Sequence, residues 1–240
     1  MTIDLRCGPW QKALADVEQV DAVICDPPYS ERTHSGHEEL LPGGRRGLRY
    51  RPWNIGTARS FAIRWGKRCR GWVCILTDHV LALAFADGLE DLGRYVFAPL
   101  PLVIRGSRVR LAGDGPSSWT VWLVVARPRT LEYARWGTLP GAYVGPPERA
   151  MTVAGGKTLW LMRALVRDYS RPGDLVCDPC AGGATTLLAA AIEGRRAIGA
   201  ERDPETYRLA QERLAAGWTP ALLPSGPEPR AEQLDWTEEP

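Results

Sequence analysis

The stretch Asp26-Pro27-Pro28-Tyr29 holds residue types that can do chemistry together. It follows Val20-Asp21-Ala22-Val23-Ile24-Cys25, a short apolar run that reads as a buried strand. The carboxylate therefore leaves the carboxyl end of a strand, where open α/β sheets place their ligands. The two prolines fix φ and remove two N–H donors, which leaves their carbonyls as acceptors. A carboxylate, fixed carbonyls and a ring face suit a planar group that carries an amine. A Pro-Pro turn that merely ends a strand is the plain alternative, and four residues alone do not decide.

A second constellation lies far downstream. Leu175-Val176-Cys177 reads as a buried strand that empties into Asp178-Pro179-Cys180-Ala181-Gly182-Gly183-Ala184-Thr185-Thr186. A helix from Leu187 to Glu193 follows, then a strand, Ala197 to Ala200, and Glu201-Arg202-Asp203. Small residues let backbone amides approach a ligand, and an acid about 20 residues on can bind ribose hydroxyls, a place Glu201 fills. The turn is not the dinucleotide G-x-G-x-x-G pattern. Asp178 at its start would repel a pyrophosphate and suit a cationic or amine-bearing nucleoside. Cys177 and Cys180 have C-x-x-C spacing without a second pair, so they read as packing residues. His34 and His37 lack a Cys or carboxylate set at ligand spacing, and no metal is expected.

The elements that must position these groups alternate between strand and helix. Ile3 to Arg6 reads as a strand, Trp10 to Gln19 as a helix and Val20 to Cys25 as a second strand. Ser60 to Arg68 looks helical, and Gly71 to Leu76 is a strand. Asp78 can cap a helix running to Gly93, and Arg94 to Ile104 and Trp119 to Ala126 are apolar strands. Lys157 opens a helix whose apolar face is Leu159, Met162, Leu165 and Val166, ended by Arg171-Pro172-Gly173. Asp203 caps a last helix with Pro204 at its first position, running to Ala216. Residues 127–149 lack periodicity and read as irregular and surface-lying.

Two segments are basic. Arg45, Arg46, Arg49 and Arg51 are interleaved with Tyr50 and Trp53 inside the polar stretch 30–60, and this mixture suits phosphates and bases. A solvated surface loop has the same composition. Arg105, Arg108 and Arg110 fall in a connection too long and basic for a tight hairpin turn. Across the chain, 45% of residues are hydrophobic and 24% charged, with a net charge of +2, as in a globular chain with one sizeable core. No apolar run reaches the roughly 20 residues of a membrane span. No basic flank leads into an apolar signal segment, and the six scattered cysteines suit reduced thiols, so a cytoplasmic location is expected.

Taken together, Asp26-Pro27-Pro28-Tyr29, the run Asp178 to Thr186 and Glu201-Arg202-Asp203-Pro204-Glu205 resemble the S-adenosylmethionine-dependent DNA amino-methyltransferases. The catalytic motif precedes the cofactor motif, which resembles the permuted beta class of that family. The resemblance covers residues 1–29 and 155–216 well and 71–126 loosely. It implies a Rossmann-like α/β fold: a mixed, mostly parallel sheet with helices on both faces, a C-terminal-type β-hairpin and circularly permuted motif order. One methyltransferase domain over 1–217 is expected, with 30–60 and 127–154 as candidate DNA-binding loops and a Pro-rich acidic tail over 218–240.

The resemblance also implies roles. S-adenosyl-L-methionine would be held by Cys25, Asp26, Lys157, Asp178, Pro179, Cys180, Ala181, Gly182, Gly183, Thr185, Thr186, Glu201, Arg202 and Asp203. Asp26 and the Pro27 carbonyl would accept the two N–H bonds of an exocyclic amine, Pro28 would stiffen the turn, and Tyr29 would stack on the base. The base must be flipped out of the duplex, at a few kcal/mol. The arginines named above would contact phosphates, and a homodimer would widen the grip on DNA. An Asp-initiated motif resembles N6-adenine enzymes more than N4-cytosine ones. RNA methyltransferases use a related turn that begins with Asn, and a catalytically inactive DNA-binding relative is a third class. The chain departs from the family pattern in four places. Cys180 stands for a usual Phe, Gly183-Ala184 for Ser-Gly, and Gly8-Pro9 for Gly-Asp; of a His-Pro-Thr-Gln-Lys-Pro run only Lys157 survives.

Overall fold

A computed structural model describes residues 2–33, 50–106, 115–147 and 156–216. Its strands are β1 (Ile3–Cys7), β2 (Ala22–Cys25), β3 (Val73–Thr77), β4 (Tyr95–Val96), β5 (Leu100–Ile104), β6 (Thr120–Arg127), β7 (Tyr143–Gly145), β8 (Leu175–Asp178) and β9 (Arg196–Glu201). Its helices are α1 (Trp10–Ala13), α2 (Ile55–Arg68), α3 (Ala82–Glu90), α4 (Leu131–Ala134), α5 (Leu159–Tyr169), α6 (Thr185–Ile192) and α7 (Pro204–Ala215). The strands form one sheet in the order β1-β9-β8-β2-β3-β6-β5-β7, with β4 paired to β6. Parallel pairing runs from β1 through β9, β8 and β2 to β3 and returns between β5 and β7. Strand β6 is antiparallel to β3, β4 and β5, which supplies the expected hairpin.

Strands β2 and β3 are buried along their whole length, as parallel strands covered on both faces must be. Side chains alternate between the faces. Val23, Cys25, Val73, Ile75 and Val124 pack on one face with Phe61 and Trp65 of α2 and Phe85 and Leu89 of α3. Ile24, Cys74, Leu76, Leu123 and Val125 pack on the other with Met162 and Leu165 of α5 and Leu187 of α6. Adjacent strands β2 and β8 are continued by helices on opposite faces: α2 leads away to β3 and α6 to β9. Their shared carboxyl edge is therefore the topological switch point, where such sheets open a crevice.

Several elements differ from the sequence expectation. The first helix stops at Ala13 instead of Gln19. The Arg6 and Arg68 guanidinium groups donate to the carbonyls of Ala13 and Leu14, both at 2.9 Å, so the helix end is satisfied without another turn. Val20 makes an isolated bridge to Cys69, and the second strand opens only at Ala22. The helix expected at Ser60 begins at Ile55, because the Asn54 side chain accepts from Thr57 N–H at 2.8 Å and caps it. The run 94–104 is two strands, interrupted by Phe97-Ala98-Pro99. The helix expected to end at Gly93 spans only Ala82–Glu90, and the one expected at Leu187 begins at Thr185.

Residues 127–147 lie mostly at the surface, as expected, but they are not wholly irregular. They hold α4 and β7, and Tyr143, Tyr133, Trp136 and Leu139 pack into or against the core. Burying these aromatic faces ties an otherwise surface-lying segment to the core. Among the described residues, no helix is long and apolar enough to cross a membrane. The His34/His37 pair and the segments 34–49 and 217–240 lie outside the described residues.

Candidate active site

Asp26 emerges directly from β2 at the switch point. Its Oδ1 accepts from the Tyr29 hydroxyl at 2.8 Å, and its Oδ2 accepts from Lys157 Nζ at 2.6 Å. The ion pair is largely withdrawn from solvent, with 12% of the Lys157 side chain and 23% of the Asp26 side chain exposed. Lys157 Nζ also lies 5.1 Å from the centroid of the Tyr29 ring. Tyr29 is only 5% exposed, so its hydroxyl clamps the carboxylate while most of its ring is covered.

The turn is pinned at its far side. Trp53 N–H donates to the Tyr29 carbonyl at 2.9 Å, and the Trp53 ring packs on Phe61 and Phe85. Asp78, at the end of β3, accepts at Oδ2 from Ser30 N–H, Ser30 Oγ and Thr33 Oγ1 at 2.9, 2.5 and 2.6 Å. Its Oδ1 accepts from the N–H groups of Val80 and Leu81. Burial alone would raise this carboxyl, but the Ser30 and Thr33 donors outweigh it and hold Asp78 below the ordinary range. The sequence marked Asp78 only as a helix cap; its hold on the turn that follows Asp26 depends on the β2–β3 pairing.

The glycine turn leaves β8 beside Asp26. Asp178 is 2% exposed, and burial pushes its carboxyl up to about 6, although Thr186, the Cys180 N–H and Cys25 all hydrogen-bond it. Ala181 N–H donates to the Ala200 carbonyl at 2.9 Å and ties the turn to β9. Gly199 permits this approach: a Cβ there would lie 2.7 Å from the Asp178 carbonyl oxygen. Gly182 has φ +50°, and a Cβ there would meet nothing within 4 Å, so the space before the turn is open. Ala184, where the family pattern has Gly, is left-handed at φ +58° and costs roughly 1–2 kcal/mol relative to a glycine-type conformation.

Glu201 ends β9. Its Oε2 accepts from Gly182 N–H at 2.9 Å and its Oε1 from Asp203 N–H at 2.7 Å, so it fixes the glycine turn against the next helix. Burial raises its carboxyl above the ordinary range. Asp203 caps α7 through Thr206 N–H, as its sequence position predicts, and Arg202 is exposed. Arg213 of α7, which the sequence did not single out, donates to the Gly183 carbonyl at 2.9 Å and to Thr185 Oγ1 at 2.8 Å. Thr185, Thr186 and Pro179 are buried within the fold, while Cys177 lies in the core and Cys180 packs against it.

The carboxyl ends of β2, β8 and β9 thus gather the Asp26–Tyr29 turn, the glycine turn and Glu201, and Lys157 joins them from the start of α5. The arginines are not gathered in the same way. Arg51 and Arg105 are exposed, whereas Arg45, Arg46, Arg49, Arg108 and Arg110 lie outside the described residues.

A mostly parallel sheet with these two turns at its switch point defines a Rossmann-like methyltransferase fold. Residues 155–212 match the DNA methylase family of N6 and N4 methyltransferases. Over 60 residues the chain is 38% identical to YubD of Escherichia coli (strain K12), a protein named as a methylase; the match spans 25% of this chain and 26% of that one. Among solved structures, the M1.HpyAVI complex with S-adenosylmethionine matches with a TM-score of 0.66 and 21% identity, over 89% of this chain and 99% of that one. TTHA0409 of Thermus thermophilus, named as a DNA modification methylase and complexed with S-adenosyl-L-methionine, gives 0.62 and 22%, over 90% and 94%. The PvuII cytosine-N4-specific DNA methyltransferase gives 0.66 and 15%, over 89% and 86%. At these identities the solved structures share the fold. The DNA methylase model thus matches the part of the chain that holds the glycine turn and Glu201, and the solved structures share the fold over most of its length.

Proposed function

We propose that this chain transfers a methyl group from S-adenosyl-L-methionine to the exocyclic amine of a base flipped out of DNA, at N6 of adenine. The observation that carries this reading is the junction of β2 and β8, which puts Asp26 beside the glycine turn and Glu201. The residues present suit the cofactor. Space before Gly182 is open, Glu201 can reach ribose hydroxyls, and buried carboxyls favour a cationic ligand over an anionic one. S-adenosyl-L-methionine, held by the glycine turn and Glu201, would supply an electrophilic methyl on a sulfonium, with the neutral thioether as the leaving group.

The chain's own residues prepare the amine. An aromatic amine is a poor nucleophile because its lone pair is delocalised into the ring. Asp26 and the Pro27 carbonyl accept its two N–H bonds, which turns the lone pair toward the methyl, and the proton released leaves on the Asp26 side. The Asp-initiated turn favours adenine over cytosine. A homodimer on the duplex belongs to the same reading, since a second copy adds phosphate contacts.

Labelled cofactor incubated with DNA, followed by digestion and mass spectrometry, tests this function. N6-methyladenine is expected, N4-methylcytosine would move the target, and methylated RNA alone would move the substrate. Asp26→Ala should abolish transfer while keeping the fold; transfer at the normal rate in that variant would remove Asp26 from the chemistry.

A further inference from the structure

We infer that Lys157 and Asp26 work as a donor–acceptor pair that reads the target amine together with the ring nitrogen beside it, an inference that rests on the proposed base methylation. Lys157 Nζ lies 2.6 Å from Asp26 Oδ2, and the Tyr29 hydroxyl holds Oδ1 at 2.8 Å, so the carboxylate cannot turn independently of the ammonium. Both side chains keep a minor exposed part at the carboxyl end of β2, on the side where the glycine turn leaves β8. A carboxylate accepts at about four lone-pair sites and an ammonium donates three N–H bonds. The two groups can therefore serve each other and a base at the same time.

Adenine and cytosine share one feature at this edge: an amine donor beside an unprotonated ring nitrogen that accepts. An acceptor beside a donor is its complement, with Asp26 taking the amine N–H and Lys157 donating to the ring nitrogen. On its Watson–Crick edge guanine presents its amine beside a ring N–H, so Lys157 would face a donor there, and thymine has no amine at all. Sites built to hydrogen-bond a group reject analogues that leave their own polar atoms unpaired. The pair thus selects the amine bases without choosing between adenine and cytosine, and Lys157 is a specificity-determining residue in direct contact with the base. A lysine that only steadied Asp26 would act on every amine alike.

The test compares single-turnover methyl transfer on duplexes carrying the target base or its deaza isostere, 1-deazaadenine or 3-deazacytosine, in which CH replaces that ring nitrogen. Wild type, Lys157→Met and Lys157→Gln are measured on both. The deaza substitution also alters the amine itself, so the quantity read is the ratio of its penalties in two proteins, as in a double-mutant cycle. The wild-type penalty should exceed that of Lys157→Met by about tenfold, the value of one hydrogen bond of roughly 1.4 kcal/mol. Lys157→Gln, which keeps an amide donor, should fall between. Equal penalties in all three proteins overturn the pairing and leave the methyltransferase function standing. A wild type inactive on every base defeats that function and the pairing together.

Discussion

Asp26 is held by two donors, one three residues away and one 131 residues away. The near one can be tested without touching charge. Tyr29→Phe removes the hydroxyl that restrains Oδ1 and should cost about 1 kcal/mol of stability. Transfer should slow as the carboxylate gains freedom to rotate; unchanged kcat in a stable variant would make the clamp irrelevant to chemistry. Asp178 gives a prediction of opposite kind. Its carboxyl moves from the ordinary 3.8 to about 6 in the folded chain. Between those values the folded state binds more protons than the unfolded one. The contribution to stability is therefore full below about pH 4 and is lost as the pH rises through 6, a change of roughly 3 kcal/mol. Asp178→Asn should flatten this part of a pH series of urea unfolding midpoints. A slope shared by both proteins would assign it to other groups.

At the level of elements, the glycine turn depends on β9 as much as on its own glycines. Gly199→Ala would set a Cβ 2.7 Å from the Asp178 carbonyl oxygen and 2.9 Å from Leu187 Cδ1. Backbone cannot yield as a flexible side chain can, so the cost should be about 1–3 kcal/mol. Thermal melting should show the loss, and calorimetry should show weaker S-adenosylmethionine binding because the turn is displaced; a variant with wild-type affinity would separate β9 from the cofactor site. Much of this framework was legible in the sequence. The strand that empties into Asp178 and the Asp203 cap with Pro204 follow from local patterns, and the structure has both. Strand β7 was not legible, because its three residues are held by pairing to β5 rather than by periodicity of their own. Nor was the anchoring by Asp78, whose partners Ser30 and Thr33 lie 48 and 45 residues away. Lys157 was marked only as the survivor of a cofactor motif, since nothing local predicts which carboxylate a distant lysine will meet.

The whole molecule carries 30 Lys and Arg against 28 Asp and Glu, so under the proposed function attraction to DNA comes from where the charges lie rather than from their sum. Arg45, Arg46, Arg49 and Arg51 fall within seven residues of sequence, and three more arginines follow Ile104 within the next six. If the first cluster grips phosphates, replacing Arg45, Arg46 and Arg49 by Ala removes three charged contacts. Each contact contributes about 0.9 to the slope of log affinity against log salt, so the slope should fall by up to about 2.7 on unrelated sequences alike. A duplex bound by two copies would double the loss per complex, up to about 5.4. Light scattering on the free and DNA-bound protein reads the copy number independently of the salt series. A monomer in both, with a slope change near the smaller figure, would leave one subunit to open the duplex alone. An unchanged slope would move the phosphate contacts elsewhere, with Arg51 and Arg105, both exposed, as the next pair to replace.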